Sequence, residues 1–287
     1  MLFRSDGSHV IAKRYRIILW AAPLILLQWM AAAVIKPDGS PRWIEYVIVG
    51  FFLGTFFGHA TLAAAWAALG PGPVRWRFPL SLVWVAMLPM AIAINIAIHD
   101  WRLPYVFVIG GCLFGQWLIV QLPLWGLAMG YGLRLRHVDD VDTMQDCCER
   151  QFGIRHLMVI TAIVGVIFGV GRILAGSQGM SFLLDSDALI FVFLAVAAIM
   201  LTVPLLLAGL LPRRAIPAVL LVLILVGVAT AWELTLYRVV PGIPRGGPDV
   251  LHFVGINAFT AATILAGVAV LRLNGYGLLR SRGPGKA

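Results

Sequence analysis

The sequence predicts an all-α fold: a polytopic helix bundle in a membrane, with about eight transmembrane helices. Three observations predict it. The 287 residues are 61% hydrophobic and only 12% charged, with a mean hydropathy of +0.92. An ordinary soluble domain is about half apolar and about a quarter charged, and its core cannot bury such an excess. Apolar runs of roughly 20 residues, long enough to cross about 30 Å of hydrocarbon as a helix, recur along the whole chain. These runs lack the two-residue alternation of a barrel strand, and only helices and closed barrels satisfy their backbone polar groups in lipid.

In order, the spans fall near 17–35, 44–69, 78–98, 104–130, 155–175, 188–211, 215–236 and 251–271. The first follows "KRYR" and ends in "AAA", the ingredients of a secretory signal. Its apolar run exceeds the usual 7–15 residues or so of such a signal, so a retained span is expected. The second carries Gly50, Gly54 and Gly58 at four-residue spacing, repeated by Gly111 with Gly115 in the fourth and Gly165 with Gly169 in the fifth. Such small faces let helix backbones approach closely, so they are expected inside the bundle. Pro89 in the third span removes the amide that would bond Val85 and predicts a kink.

Orientation follows from charge. With segments assigned to alternate sides, 16 of the 22 Lys and Arg lie on the side of the two termini. The positive-inside rule then puts both termini in the cytoplasm. The net charge of +9 is thereby explained by topology, and no nucleic-acid partner is expected. Trp43, Tyr46, Trp101, Tyr105, Trp232 and Tyr237 fall at outer span ends, and Tyr15, Trp76, Tyr131 and Tyr276 at inner ones, where amphipathic rings prefer the headgroups. Cys112 lies in a span, and Cys147 and Cys148 lie on the cytoplasmic side, so no disulfide framework is expected.

Two span exits look alike. "WGLAMGYGLRLR" at 125–136 and "VLRLNGYGLLRS" at 270–281 share Gly-Tyr-Gly-Leu at an offset of 145 residues. The turns "LGPGPVRWRFP" and "LLPRRAIP" correspond within a few residues under that offset. The pattern predicts two parallel four-helix halves, 1–136 and 154–287, joined by a connector at 137–153. The alternative is that Gly, Tyr and Arg are simply common at inner interfaces.

The stretch "RQFGIRHLMVITAIVGVIFGVGR", 150–172, resembles a segment of uncharacterised multi-pass membrane proteins of planctomycete-type bacteria, in which Gln-Phe-Ser-x-Arg-Asp-Leu opens an apolar helix. Gln151, Phe152, Arg155 and Leu157 match; Gly153 stands for the serine and His156 for the aspartate, so a helix-capping oxygen is missing. The turn "LGPGPVRWRFPLSL" at 69–82 is similar to turns in the same proteins. The resemblance implies a membrane protein without assigned chemistry and carries over no catalytic residue.

The polar run "HVDDVDTMQDCCERQFGIRH", 137–156, invites a metal or redox reading. Drawn as a helix, Asp139, Asp142, Asp146 and Glu149 form one stripe, with Val138, Val141, Met144, Cys148 and Phe152 on another side. That pattern predicts an amphipathic connector on the membrane surface. The acids are a candidate cation site of the weaker kind, since they lack the glycine turn of a calcium loop. Adjacent Cys147 and Cys148 lack the spacing for a shared zinc, and no metal or cofactor is expected. His137 and Asp142 match a His-x4-Asp acyltransferase spacing without its context, which is read as coincidence.

Inside the spans, the candidate polar site is His59 with Gln116 and Gln121, beside Asn95, His252 and Asn257. An ionisable group in a membrane is a functional candidate by default; the alternative is that these groups hydrogen-bond helices together. Glu233 is expected about one turn from the outer end of its span, in reach of interfacial water. The leading functional expectation is a non-enzymatic scaffold or sensor whose partners are lipid and other membrane proteins. A secondary transporter of a small solute comes second and a membrane-embedded enzyme third.

Overall fold

The computed structural model describes residues 42–99, 104–137, 196–202, 204–206, 209, 215–239 and 250–280. The expected spans at 17–35 and 155–175, the acids Asp139, Asp142, Asp146 and Glu149, and Gly165 and Gly169 lie outside the described residues. Within them the chain is mostly helical: α1 (Arg42–Leu69), α2 (Val74–His99), α3 (Pro104–Gly130), a shorter apolar helix α4 (Val196–Leu206), α5 (Ala215–Val239) and α6 (Val250–Leu273). Four stretches are long and apolar enough to cross a membrane: Val47–Leu69, Ile109–Gly130, Leu220–Arg238 and Val250–Leu273.

The bundle is organised around α1 and α6. A Cβ placed on Gly50 would lie 3.1 Å from the backbone of Gly255. On Gly54 it would lie 2.7 Å from Phe259 Cβ and 2.9 Å from the amide nitrogen of Thr260, both on α6. On Gly58 it would lie 2.6 Å from Thr263 Cβ, and Leu62 completes the row against Gly267. Residue numbers rise together along both helices, so α1 and α6 run in the same direction. Their contact is backbone against backbone, which only residues without a side chain permit.

The remaining helices pack on this pair. α2 returns antiparallel to α1 through the turn 70–73, where Gly72 takes φ +88° and the buried Arg77 guanidinium donates from Nη1 to the carbonyl of Gly70. A cation on the last carbonyls of a helix satisfies an orphan acceptor and opposes the negative end of the helix dipole. α2 lies antiparallel on α3, with Pro89 over Gly110 and Phe78 against Trp117 and Trp125 at centroid distances of 5.0 and 6.4 Å. Gly111 and Gly115, expected at a helix interface, have no described residue within 4 Å of an added Cβ. Trp117, Phe56, Phe57, Leu113, Leu124 and Phe253 fill the centre.

The all-α expectation needs one correction. The two look-alike exits are joined in an antiparallel ribbon, β1 (Leu133–His137) with β2 (Tyr276–Arg280), in the register Leu133 to Arg280, Leu135 to Leu278 and His137 to Tyr276. α3 and α6 therefore leave the bundle at the same end. Leu135 and Tyr276 are buried on the helix-facing side of the ribbon, where the His137 ring stands edge-on to Tyr276 at 5.5 Å. This places His137 in a strand rather than at the head of a helical connector.

The copies of Gly-Tyr-Gly-Leu are not used alike. After α3 the left-handed residue is the second glycine of the motif, Gly132 (φ +64°); after α6 it is the first, Gly275 (φ +76°). Helix end, left-handed glycine and strand start recur at an offset of 143 residues, two short of the 145 in the sequence. Tyr131 is accordingly 62% exposed while Tyr276 is 9% exposed.

The packing predicts a contrast between glycines. Gly54→Ala puts a methyl group into the backbone of α6 and should destabilise by about 1–3 kcal/mol, as overpacking typically does. Gly111→Ala should leave the thermal midpoint of the detergent-purified protein unchanged. Equal midpoints for the two variants would contradict the α1–α6 seam.

Candidate functional site: two buried polar layers

Inside the bundle two layers of buried polar groups join helices to one another. The inner one joins three helices. Gln116 on α3 donates from Nε2 to the Phe57 carbonyl (3.0 Å) and to Thr61 Oγ1 (2.9 Å) on α1. Thr61 Oγ1 lies 2.9 Å from Thr202 Oγ1 on α4, which donates to its own helix at Ala198 O (2.6 Å). A hydroxyl has one proton. Thr202 gives its proton to Ala198, so Thr61 donates to Thr202, and the chain runs in one direction from the Gln116 amide through both hydroxyls to a carbonyl.

This layer is incompletely satisfied. Gln116 Oε1, Trp117 Nε1 and Gln121 Oε1 are buried and have no hydrogen-bond partner, although the Nε2 of Gln121 donates to Trp117 O at 3.1 Å. Two acceptors and one donor are therefore unpaired along about one and a half turns of α3, with Gln121 about 140° round the helix from Gln116. Leaving a buried polar group unpaired costs about 1–3 kcal/mol each, and such groups in a native bundle call for an explanation.

His59 does not join them. Phe57 and Thr61 share one face of α1, while His59 lies about 200° round the helix from either. Its Nδ1 meets Thr55 O at 2.9 Å, one turn back, and its ring faces Trp84 on α2 at 6.5 Å. The expected trio of His59, Gln116 and Gln121 is thus divided among a helix-internal bond, a three-helix junction and a second helix-internal bond.

The second layer was not expected. Glu233 on α5 is 0% exposed, where the sequence suggested reach to interfacial water. Asn257 on α6 donates from Nδ2 to Glu233 Oε2 at 2.6 Å and to Thr230 Oγ1 at 3.2 Å. Glu233 Oε1 has no partner. Nearer the helix end, the Tyr237 ring stands edge-on to Phe253 at 6.0 Å. Glu233 lies six residues before Val239, about 9 Å inside the end of α5. Asn257 follows Ile256, which meets Gly54; Thr61 lies two turns further along α1, so the layers are about 10 Å apart.

A signal for this layer existed in the sequence: Thr230 and Glu233 are three apart, on one helix face, in an otherwise apolar span. Position near the span end concealed it, because the distance from a helix end does not say which way the side chain points. Thr61 and Thr202 carried no signal of their own, since isolated threonines in apolar helices usually bond their own backbone. Among the described residues, no group of three His, Cys, Asp or Glu side chains is placed to hold a metal ion.

The Thr61–Thr202 link is testable by a double-mutant cycle with valine. Removing both hydroxyls should cost less than the sum of the single losses, with a coupling of about 0.6 kcal/mol, the usual worth of an interhelical hydrogen bond in a membrane; strict additivity would argue that α4 does not meet α1 here. No family model, curated protein or solved structure matches this chain, and the geometry of these two layers is what supports a functional reading.

Proposed function

We propose that this chain is a non-enzymatic, eight-span protein of a bacterial inner membrane, with both termini cytoplasmic, that works as a secondary transporter of a small polar solute. The observation that carries the transport reading is the open set on α3: Gln116 Oε1, Trp117 Nε1 and Gln121 Oε1 offer two acceptors and one donor inside the bundle and have no protein partner. A solute carrying both donors and acceptors would complete them, and polar groups inside a membrane bundle characteristically mark such pathways.

The topology has support of its own. α1 and α6 run in the same direction, as two helices separated by an odd number of crossings must, and α3 and α6 leave at one end, as the parallel arrangement of two four-helix halves requires. The ribbon end carries Arg134, Arg136 and Arg272, which suits a cytoplasmic face.

A second reading, a scaffold or sensor, is favoured by one surface. Trp76, Leu80, Val83, Met87 and Met90 are exposed on α2 at alternating spacings of four and three, the rhythm of a helix-pairing seam.

The readings separate in one set of measurements. For a transporter, at least one member of a panel of amino acids, small amides and sugars raises the thermal midpoint of the purified protein in a saturable manner, by the equivalent of about 2.7 kcal/mol at a hundred times its Kd. Gln116→Leu and Gln121→Leu should each weaken that response while the protein remains folded. No stabilising solute, together with a membrane protein that co-purifies through the α2 stripe and is lost in Val83→Arg, would favour the scaffold.

A further inference from the structure

We propose that Glu233 is a proton-binding group within the membrane and that its proton docks α5 against α6. Among the described residues of α5 from Leu220 onward, only Ala229, Thr230 and Glu233 are buried. The carboxyl group therefore lies on the face by which this helix packs on the bundle, with Val226, Trp232 and Tyr237 half-buried around it. An ionised carboxylate there has one donor, Asn257, and an oxygen with no partner. Burying an uncompensated charge is strongly unfavourable even after the surroundings relax. Seated as observed, with Oε1 closed off from water, the group needs a cation, and a proton on Oε1 is the smallest that removes the charge without further ligands.

The titratable groups on the two facing helices do not supply that charge. Tyr237 and Arg238 lie on the helix-end side of Glu233 on α5, with Arg238 exposed, while His252 and Arg272 lie on α6 five residues before and fifteen after Asn257. The described part of α4 carries no titratable side chain. When the proton leaves, that face holds an unpaired charge and is driven toward water, which lies about 9 Å away along α5. Parting of α5 from α6 exposes the carboxyl and allows the proton to exchange. Proton occupancy and the position of α5 are thus linked, and each biases the other.

This rests on the transporter reading for its role, in which the proton is the coupling ion, but the binding event can be measured without any solute. The full chain is reconstituted in liposomes and compared with Glu233→Gln, whose amide oxygen still accepts from Asn257 and carries no charge. Infrared difference spectra of wild type minus variant should show a protonated-carboxyl carbonyl band at neutral pH that shifts in heavy water and fades as pH rises. Spin labels at the exposed positions Leu223 and Ala262 should move apart over the same pH range in wild type and stay at the docked distance in Glu233→Gln. Asn257→Ala, which removes the donor to the carboxyl, should shift the pH at which the band fades.

Three results would overturn the proposal: no carboxyl band attributable to Glu233, a label movement that persists in Glu233→Gln, or a response that follows sodium concentration and ignores pH. Should the titration and movement occur while no solute stabilises the protein, the proton site stands and the transporter reading fails. Should solute stabilisation survive in wild type without either signal, the reverse holds.

Discussion

The close approach of α1 and α6 is the constraint on which the rest of the bundle depends. In lipid there is no hydrophobic drive to bring helices together, because the surrounding chains are as apolar as the side chains. What holds two helices is the dispersion contact of well-fitted surfaces and the hydrogen bonds between them. Gly50, Gly54 and Gly58 let α1 lie directly on the backbone of α6. With those two axes fixed, the depth of every group on them is fixed as well. α3 reaches α1 at Phe57 and Thr61, and Asn257 comes to lie one residue from the Gly54 contact.

The same seam sorts the polar residues. Positions facing a tight backbone contact exclude water and lipid alike, so any polar group beside it must find a protein partner or remain open. Thr61 and Thr202 find each other, and Asn257 finds Glu233 and Thr230. The open atoms of the two layers fall on α3 and at Glu233 Oε1, one step removed from the seam, where the packing is by side chains. Side-chain packing can rearrange at lower cost than a backbone contact can. The polar layers thus lie at the boundaries between the α1–α6 seam and the helices packed beside it.

Much of the helical layout was legible in the sequence because the bilayer imposes it through length and hydropathy alone. The spans expected at 44–69, 104–130, 215–236 and 251–271 each coincide with a long helix to within a few residues. The sites were less legible. Glu233 was expected near water and is buried. The repeated Gly-Tyr-Gly-Leu promised a common structure and gives two different ones, shifted by two residues. In each case the sequence reports a residue's height along its helix, while the outcome turns on its angle about the axis, and that angle is set by which neighbour arrives.

By itself, the amino-acid sequence determined the class of solvent, the helical character and the positions of the helices described, since these follow from transfer free energies summed over about 20 residues at a time. Only the tertiary structure decided which glycines touch backbone, which amides and hydroxyls meet, that α3 and α6 end in one ribbon, and that a carboxyl group is enclosed between α5 and α6. These depend on single contacts between segments as far apart as Thr61 and Thr202. No local pattern encodes such a contact, because its energy exists only after both helices have been placed.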